Sequence, residues 1–264
     1  MARTRIEFAQ NFIKSKGLVK TLLQSSSLTN LDTVYEIGPG EGIITYELSR
    51  VAKKVIAIEL DNSLVEHLKL KFSEVKNIEI HHADFMRYQI SSQNYKIFAN
   101  IPFNITSDIV KKLVTAKFPP EEAYLIMQKE AAMKFSGDPI ATEFSVLLKP
   151  WFEFKTIREI SRQSFEPIPA VDVVFFVIKR RTPALISSSE RAMYQSFVRH
   201  GFESWKKDLK TAFKKVYTYN QWKRLSHDLK FSLHATPSQL TFEQWLGLYK
   251  FFAERLPPEK GILL

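Results

Sequence analysis

Between residues 34 and 179 the sequence alternates short β-rich apolar runs with stretches of helical periodicity, and few architectures accommodate that rhythm. The apolar runs are 34–37, 55–59, 78–81, 96–100, 123–128, 151–157 and 173–179, and the helical stretches are 41–52, 62–75, 105–116, 129–136 and 142–149. Strand followed by helix followed by strand predicts a mostly parallel sheet wrapped by helices on both faces. The proline-containing link from 151–157 to 173–179 predicts a hairpin, and so an antiparallel edge. Beyond Arg180-Arg181-Thr182-Pro183 the pattern changes. Ser187-x-x-Glu190 and Thr236-Pro237-Ser238-Gln239 read as helix-opening capping boxes, the second with proline at the first helical position. The expected organisation is therefore an α/β domain over 1–183 and a smaller, all-helical domain over 184–264.

Hydrophobic residues make up 45% of the 264 and aromatics 13%, enough for a folded core. No apolar run approaches the roughly 20 residues of a spanning helix, and the N-terminus lacks a signal-peptide stretch, so a cytoplasmic protein away from membranes is expected. The absence of cysteine excludes disulfides, thiolate metal sites and thiol catalysis together. The six histidines show no ligand spacing, and no metal is expected.

The formal charge is +10, and 13 Lys/Arg against 7 Asp/Glu fall in residues 182–264. From Arg199 to Lys230 there are nine basic residues against three acids. Trp205, Leu209, Ala212, Phe213 and Val216 recur at helical spacing, which predicts an amphipathic helix with Lys207, Lys210 and Lys214 on its outer side. One reading is a solvated face, and another is a phosphate-contacting surface. Charge alone does not choose between RNA, DNA and an anionic membrane.

Only eight glycines occur, yet three lie within five positions of Glu36-Ile37-Gly38-Pro39-Gly40-Glu41-Gly42. This is the first strand-to-helix turn, where bare backbone can approach a ligand, although a merely tight turn also uses glycine. Glu59 ends the second strand 21 residues after Gly38, the place of a ribose acceptor in dinucleotide folds. Asp84 follows the third strand, where a carboxylate can accept from an adenine amino group. Taken singly, each acid also suits a cap or turn. A dehydrogenase G-x-G-x-x-G needs glycine at 43, where this chain has Ile43. The G-x-G-x-G pattern instead resembles that of the S-adenosylmethionine-dependent methyltransferases, with their Rossmann-like seven-stranded sheet.

Asn100-Ile101-Pro102-Phe103 lies at the end of the fourth strand, just before a helix. An exocyclic adenine nitrogen is a poor nucleophile, because its lone pair is delocalised into the ring. Acceptors that hold the amino group and draw it toward pyramidal geometry are what its methylation requires. The Asn100 side-chain oxygen and the Ile101 carbonyl can serve, Pro102 restrains Ile101 to an extended conformation, and Phe103 offers a face to a flipped base. The bland alternative has Asn100 capping the next helix and Phe103 in the core.

Gln10-Asn11-Phe12, the glycine motif, Glu59, Asp84, Asn100-Ile101-Pro102-Phe103 and Phe165-Glu166-Pro167-Ile168-Pro169-x-Val171-Asp172 together resemble the ribosomal RNA adenine N6-methyltransferases over residues 5–183. Ile101, Trp151-Phe152-Glu153-Phe154 and Lys179-Arg180-Arg181-Thr182-Pro183 look more like the erythromycin-resistance (Erm) branch, acting on 23S rRNA, than the dimethyladenosine transferases acting on 16S rRNA.

The resemblance implies S-adenosylmethionine as cofactor, contacted by Asn11 and Ile13 and bordered by Gly38, Gly40 and Gly42, with Glu59 on its ribose, Asp84 on its adenine and Asn100 beside it. It implies Asn100 and Ile101 on the target amino group, and Phe103 and Phe165 against the target base. Phe103 departs from the tyrosine of many relatives, which removes any role for a phenolic hydroxyl. The implied activity is methylation of a single-stranded or loop adenine in 23S rRNA, conferring macrolide, lincosamide and streptogramin B resistance, by a monomer. Lys206, Lys207, Lys210, Lys214 and Arg224 are the expected RNA contacts. A 16S rRNA dimethyladenosine transferase and a nonenzymatic nucleic-acid binder with the same fold are the alternatives.

Overall fold

The computed structural model describes residues 11–203 and 208–255. The chain divides into two compact units, one formed by the chain up to Ala132 together with Glu153–Arg180, the other by Met133–Phe152 and the chain from Arg181 onward. The second unit thus takes in residues 133–152, which the sequence pattern assigns to the α/β domain, and the chain leaves the sheet at Arg180 rather than at 183.

In chain order the first unit contains β1 (Phe12–Ile13), α1 (Lys16–Gln24), β2 (Thr33–Ile37), α2 (Ile43–Ser49), β3 (Lys54–Glu59), α3 (Asn62–Lys71), β4 (Ile78–His82), β5 (Lys96–Asn100), α4 (Thr106–Thr115) and β6 (Glu122–Gln128). Helices α5 (Lys129–Ser136) and α6 (Glu143–Leu148) follow, then β7 (Phe152–Ile160), β8 (Phe165–Glu166) and β9 (Val173–Arg180). Seven strands form one sheet in the order β4-β3-β2-β5-β6-β9-β7. The β2–β3, β2–β5, β3–β4 and β5–β6 pairs are parallel, and β9 runs antiparallel to β6. Successive side chains of a strand point to opposite faces, so an unbroken buried run such as Val55–Glu59 means that both faces of the sheet are covered.

Phe98, Tyr124 and Phe175 stack across β5, β6 and β9 with ring centroids 5.5–6.2 Å apart. Outside this sheet, β1 pairs with β8 in antiparallel register, Phe12 opposite Glu166 and Ile13 opposite Phe165. Lys14 N–H donates to the Ser164 carbonyl at 3.0 Å, and the Lys14 ammonium meets the Glu166 carboxylate at 3.1 Å.

The second unit contains α6, α7 (Arg191–Glu203), α8 (Leu209–Ala212), α9 (Tyr219–Asp228) and α10 (Phe242–Ala253). Phe197 of α7 is fully buried and meets Phe213, Phe252 and Tyr249 at centroid distances of 4.7, 5.0 and 5.7 Å. The Tyr194 hydroxyl donates to the Val146 carbonyl at 2.8 Å, tying α7 to α6. That contact and the buried Val146 and Leu148 account for residues 133–152 joining this unit.

Three details differ from the sequence pattern. The Ser187 hydroxyl does bond the Glu190 carboxylate at 2.7 Å, but over a single 3₁₀ turn, and α7 begins at Arg191. The Thr236/Gln239 capping box forms on another short 3₁₀ turn, while a second box, Thr241/Gln244, opens α10. Finally, the basic stretch is not one amphipathic helix. The Asp208 carboxylate accepts the Thr211 N–H at 2.8 Å and starts the four-residue α8 afresh, because an N-cap fixes a helix start. Leu209 and Phe213 are fully buried as their spacing predicts, whereas Trp205, Lys206 and Lys207 lie outside the described residues.

Candidate active site

Beyond β2 the backbone turns through Gly38, Gly40 and Gly42 with φ of +62°, +57° and +80°. Side-chain-bearing residues avoid this left-handed region, which explains the cluster. A Cβ at Gly38 would have nothing within 4 Å, so this glycine bounds open space. A Cβ at Gly42 would stand 2.7 Å from Leu68 and Phe72, so here the bare backbone lets α3 approach. At Gly40 the same position lies 2.9 Å from the Phe12 ring, which lays the N-terminal segment against the turn.

Glu59, 3% exposed at the end of β3, organises this corner. One carboxylate oxygen accepts the N–H groups of Leu60 and Asp61 at 2.8 and 3.0 Å; the other accepts the Gly40 N–H at 3.2 Å. A carboxylate offers about four acceptor positions, so the oxygen facing Gly40 keeps one for a further hydroxyl donor. Asp84 sits beyond β4. One of its oxygens closes a turn by accepting the Met86 N–H at 2.8 Å, and the other is 3.7 Å from the Arg87 guanidinium. Its turn reading is therefore realised, with one oxygen still turned outward.

At the end of β5 the Asn100 side-chain nitrogen donates to the Asn11 carbonyl at 2.7 Å. A carbonyl only accepts, so this partner fixes which end of the amide is which. The Asn100 oxygen receives no hydrogen bond from the described residues and is free to accept one. Asn100 does not cap α4, whose first turn has no side-chain cap. The Ile101 N–H donates to the Ile126 carbonyl at 3.2 Å, and Pro102 holds φ −60° and ψ 131°, fixing the turn into Phe103–Ile105. Phe103 is half-buried, one side packed on the core.

Two of the expected contact residues, Phe165 and Ile13, lie in the packed interior. Phe165 is fully buried and pairs through β8 with Ile13, itself 6% exposed, and both belong to the core cluster. Both side chains are packed away from solvent. They anchor β1, and β1 delivers the Asn11 carbonyl to Asn100. The reason is physical: a two-residue strand pair is marginal by itself, and burial of one apolar side chain from each strand, Ile13 and Phe165, holds this one.

Glu36, to which the sequence reading assigns no role, is 1% exposed at the C-terminal end of β2, and neither carboxyl oxygen has a hydrogen-bond partner. Burial pushes its pKa up to about 8 against the pull of the Thr45 hydroxyl and backbone N–H beside it, and the nearby Glu59 charge adds to the rise. The signal that would have found it is a charged residue directly before the last apolar position of a buried strand.

Among the described residues no three His, Cys, Asp or Glu side chains converge as a metal site would need. No described helix is long and apolar enough to cross a membrane. In the second unit Lys210 and Lys214 line a groove of about 350 Å³, with the Lys210 ammonium 5.1 Å from the centroid of the exposed Tyr219 ring. Arg224 pairs with Asp228 at 3.3 Å.

A seven-stranded sheet in which β9 runs against β6, carrying its chemistry at the glycine turn and the strand ends beside it, is the fold of the Rossmann-like S-adenosylmethionine-dependent methyltransferases. The residues fit that cofactor: the space beyond Gly38 is open, and Glu59 has an acceptor position to give. The family of ribosomal RNA adenine dimethylases matches residues 1–254. The chain is 30% identical, over 94% of its length and 93% of the relative's, to an rRNA adenine N-6-methyltransferase of Bacteroides fragilis. It is 34% identical, over 84% and 88%, to ribosomal RNA small subunit methyltransferase A of Mycoplasmopsis pulmonis. The crystal structure of the 23S rRNA methyltransferase ErmE superposes with a TM-score of 0.86 at 27% identity, covering 92% of this chain and all of that one. The chain belongs to the ribosomal RNA adenine dimethylase family and is an S-adenosylmethionine-dependent rRNA adenine N6-methyltransferase.

Proposed function

We propose that this enzyme methylates N6 of one unpaired adenine in 23S rRNA, as a cytoplasmic monomer needing no metal, and thereby confers resistance to macrolides, lincosamides and streptogramin B. The observation that carries the catalytic part is the oriented Asn100 amide, its nitrogen held by the Asn11 carbonyl and its oxygen free. That oxygen and the Ile101 carbonyl accept from the target amino group and aim its lone pair. The Phe103 ring offers a face to the flipped base, which must leave its stack to be reached.

S-adenosylmethionine supplies an electrophilic methyl group on a sulfonium. The residues supply proximity and orientation, which account for much of the acceleration in such displacements. The proton of the methylated amine leaves to water, so no dedicated base is required. In this reading Glu59 accepts from the cofactor ribose, the outward Asp84 oxygen accepts from its adenine, and Gly38 to Gly42 border its methionine part. Lys206, Lys207, Lys210, Lys214 and Arg224 of the C-terminal unit contact RNA phosphates.

The choice of 23S rests on the likeness to ErmE and on the Ile101 and Lys179–Pro183 features of the sequence. The small subunit methyltransferase names among the relatives favour the second reading, a 16S rRNA dimethyladenosine transferase. Purified enzyme and labelled S-adenosylmethionine offered 23S and 16S transcripts separately decide between them. Label confined to 23S is the expected result, and label confined to 16S establishes the alternative.

A further inference from the structure

The turn that carries Asp84 is held from behind by one side chain on another element. Lys112, in the last turn of α4, donates from its ammonium to the carbonyls of Phe85, Met86 and Tyr88 at 2.6, 3.0 and 2.6 Å. An ammonium has three donors, and here each meets a carbonyl of the same turn. The ammonium also lies 4.9 Å from the centroid of the Phe85 ring. On its inner side the turn is closed by Asp84 itself, whose backbone carbonyl accepts the N–H groups of Arg87 and Tyr88 at 3.0 and 2.9 Å. Its outer side borders a groove of about 520 Å³ lined by Phe85, Tyr88, Tyr95, Lys112 and Phe118. The buried Phe85 ring and Tyr88, whose hydroxyl meets His81 Nδ1 at 2.9 Å, pack the turn through their side chains, while Lys112 gathers three of its backbone carbonyls.

We propose that Lys112 is a positioning residue for cofactor binding, holding the Asp84 turn so that the outward carboxylate oxygen meets the adenine end of S-adenosylmethionine. This rests on the reading that Asp84 accepts from the cofactor adenine. A lysine on a helix surface could keep its ammonium in water. This one is drawn in, and burial lowers its pKa against the opposing pull of Asp84. Desolvating the ammonium is offset by three charge-assisted hydrogen bonds, all directed at one turn. Because the contact acts on the adenosine half, it affects S-adenosylmethionine and S-adenosylhomocysteine alike and leaves the methyl-transfer step untouched.

Calorimetric titration of both compounds into the wild type, Lys112→Met, Asp84→Asn and the double variant tests this. The proposal expects Lys112→Met to weaken both compounds equally, on the order of tenfold, with kcat at saturating cofactor kept, and to add little in the Asp84→Asn background. Equal, fully additive losses, or unchanged affinity in Lys112→Met beside weakened affinity in Asp84→Asn, overturn the role of Lys112 alone. Unchanged affinity in Asp84→Asn overturns the adenine reading, and the proposal with it. Because the chain has no cysteine, Lys112→Cys can be alkylated selectively with 2-bromoethylamine. The thiolate sulfur bonds the carbon that releases bromide, and a side chain of lysine length with a terminal ammonium results. Restored affinity supports the proposal, whereas a folded, alkylated protein that still binds weakly contradicts it.

Discussion

Asn100 and Glu36 stand at the ends of neighbouring strands and face opposite requirements. The Asn100 amide is useful because one half is engaged and the other is open. Glu36 is buried with no hydrogen bond of good geometry, and burial outweighs the Thr45 groups beside it, so the carboxyl resists ionisation. Its pKa is raised from 4.5 to about 8, so between those values the folded chain retains a proton that the unfolded chain releases. Stability contributed by the protonated group is full below pH 4.5 and declines as pH rises toward 8, at about 1.4 kcal/mol per unit. Glu36→Gln removes this slope. In thermal melts, the variant's melting temperature relative to wild type is expected to climb from pH 5 to pH 8 and then level off. Parallel pH profiles for the two proteins would show that the side chain is already ionised when folded.

At the scale of elements, the glycine turn links β2 to α2, and its positions differ in what a methyl group would meet. Gly38→Ala costs about 1–2 kcal/mol for its left-handed backbone. The added methyl enters the open space, so cofactor affinity falls as well. Gly42→Ala carries the same strain and crowds Leu68 and Phe72, for roughly 2–5 kcal/mol in all. Urea denaturation should rank the stability loss at 42 above that at 38, and cofactor titration should rank the affinity loss the other way.

The parallel strands were legible because strands buried on both faces are uninterrupted apolar runs, and Val55–Ile58 is one. The glycines were legible because the left-handed region admits few other residues. The β1–β8 pair was not, since two residues carry no periodicity and owe their pairing to the burial of Ile13 and Phe165. The same burial sets the Phe165 ring in the core cluster, which its place in the motif does not reveal. Lys112 gave no signal either, because a lysine reaching across to a turn reads in sequence as an ordinary helix-surface charge.

At the scale of the molecule, the two units divide the sequence differently from its composition. The alternating pattern continues through 142–149, but α6 packs with the C-terminal helices, a choice made by tertiary contacts such as Tyr194 to Val146. Apolar periodicity across 205–216 predicted one helix, and the Asp208 cap overrode it. Lys210 and Lys214 nonetheless share one groove beside an exposed aromatic ring. If they contact phosphates, replacing both with Ala lowers the slope of log affinity against log salt by about 0.7–0.9 per phosphate lost. RNA filter binding across a salt series measures it, with cofactor affinity unchanged. An unaltered slope would return this face to solvent.

The proposed function rests most heavily on Asn100 acting upon adenine N6 in 23S rRNA. Purified wild type and Asn100→Ala, incubated with S-adenosylmethionine and separate 23S and 16S transcripts, can be read by mass spectrometry of the digested nucleosides and primer extension to the modified position. The expected result is N6-methylated adenosine at one site in 23S with the wild type, a rate lower by on the order of 10²-fold or more with Asn100→Ala, and none in 16S. N6-methylated adenosine formed by Asn100→Ala at the wild-type rate, or formed in 16S instead of 23S, would contradict it.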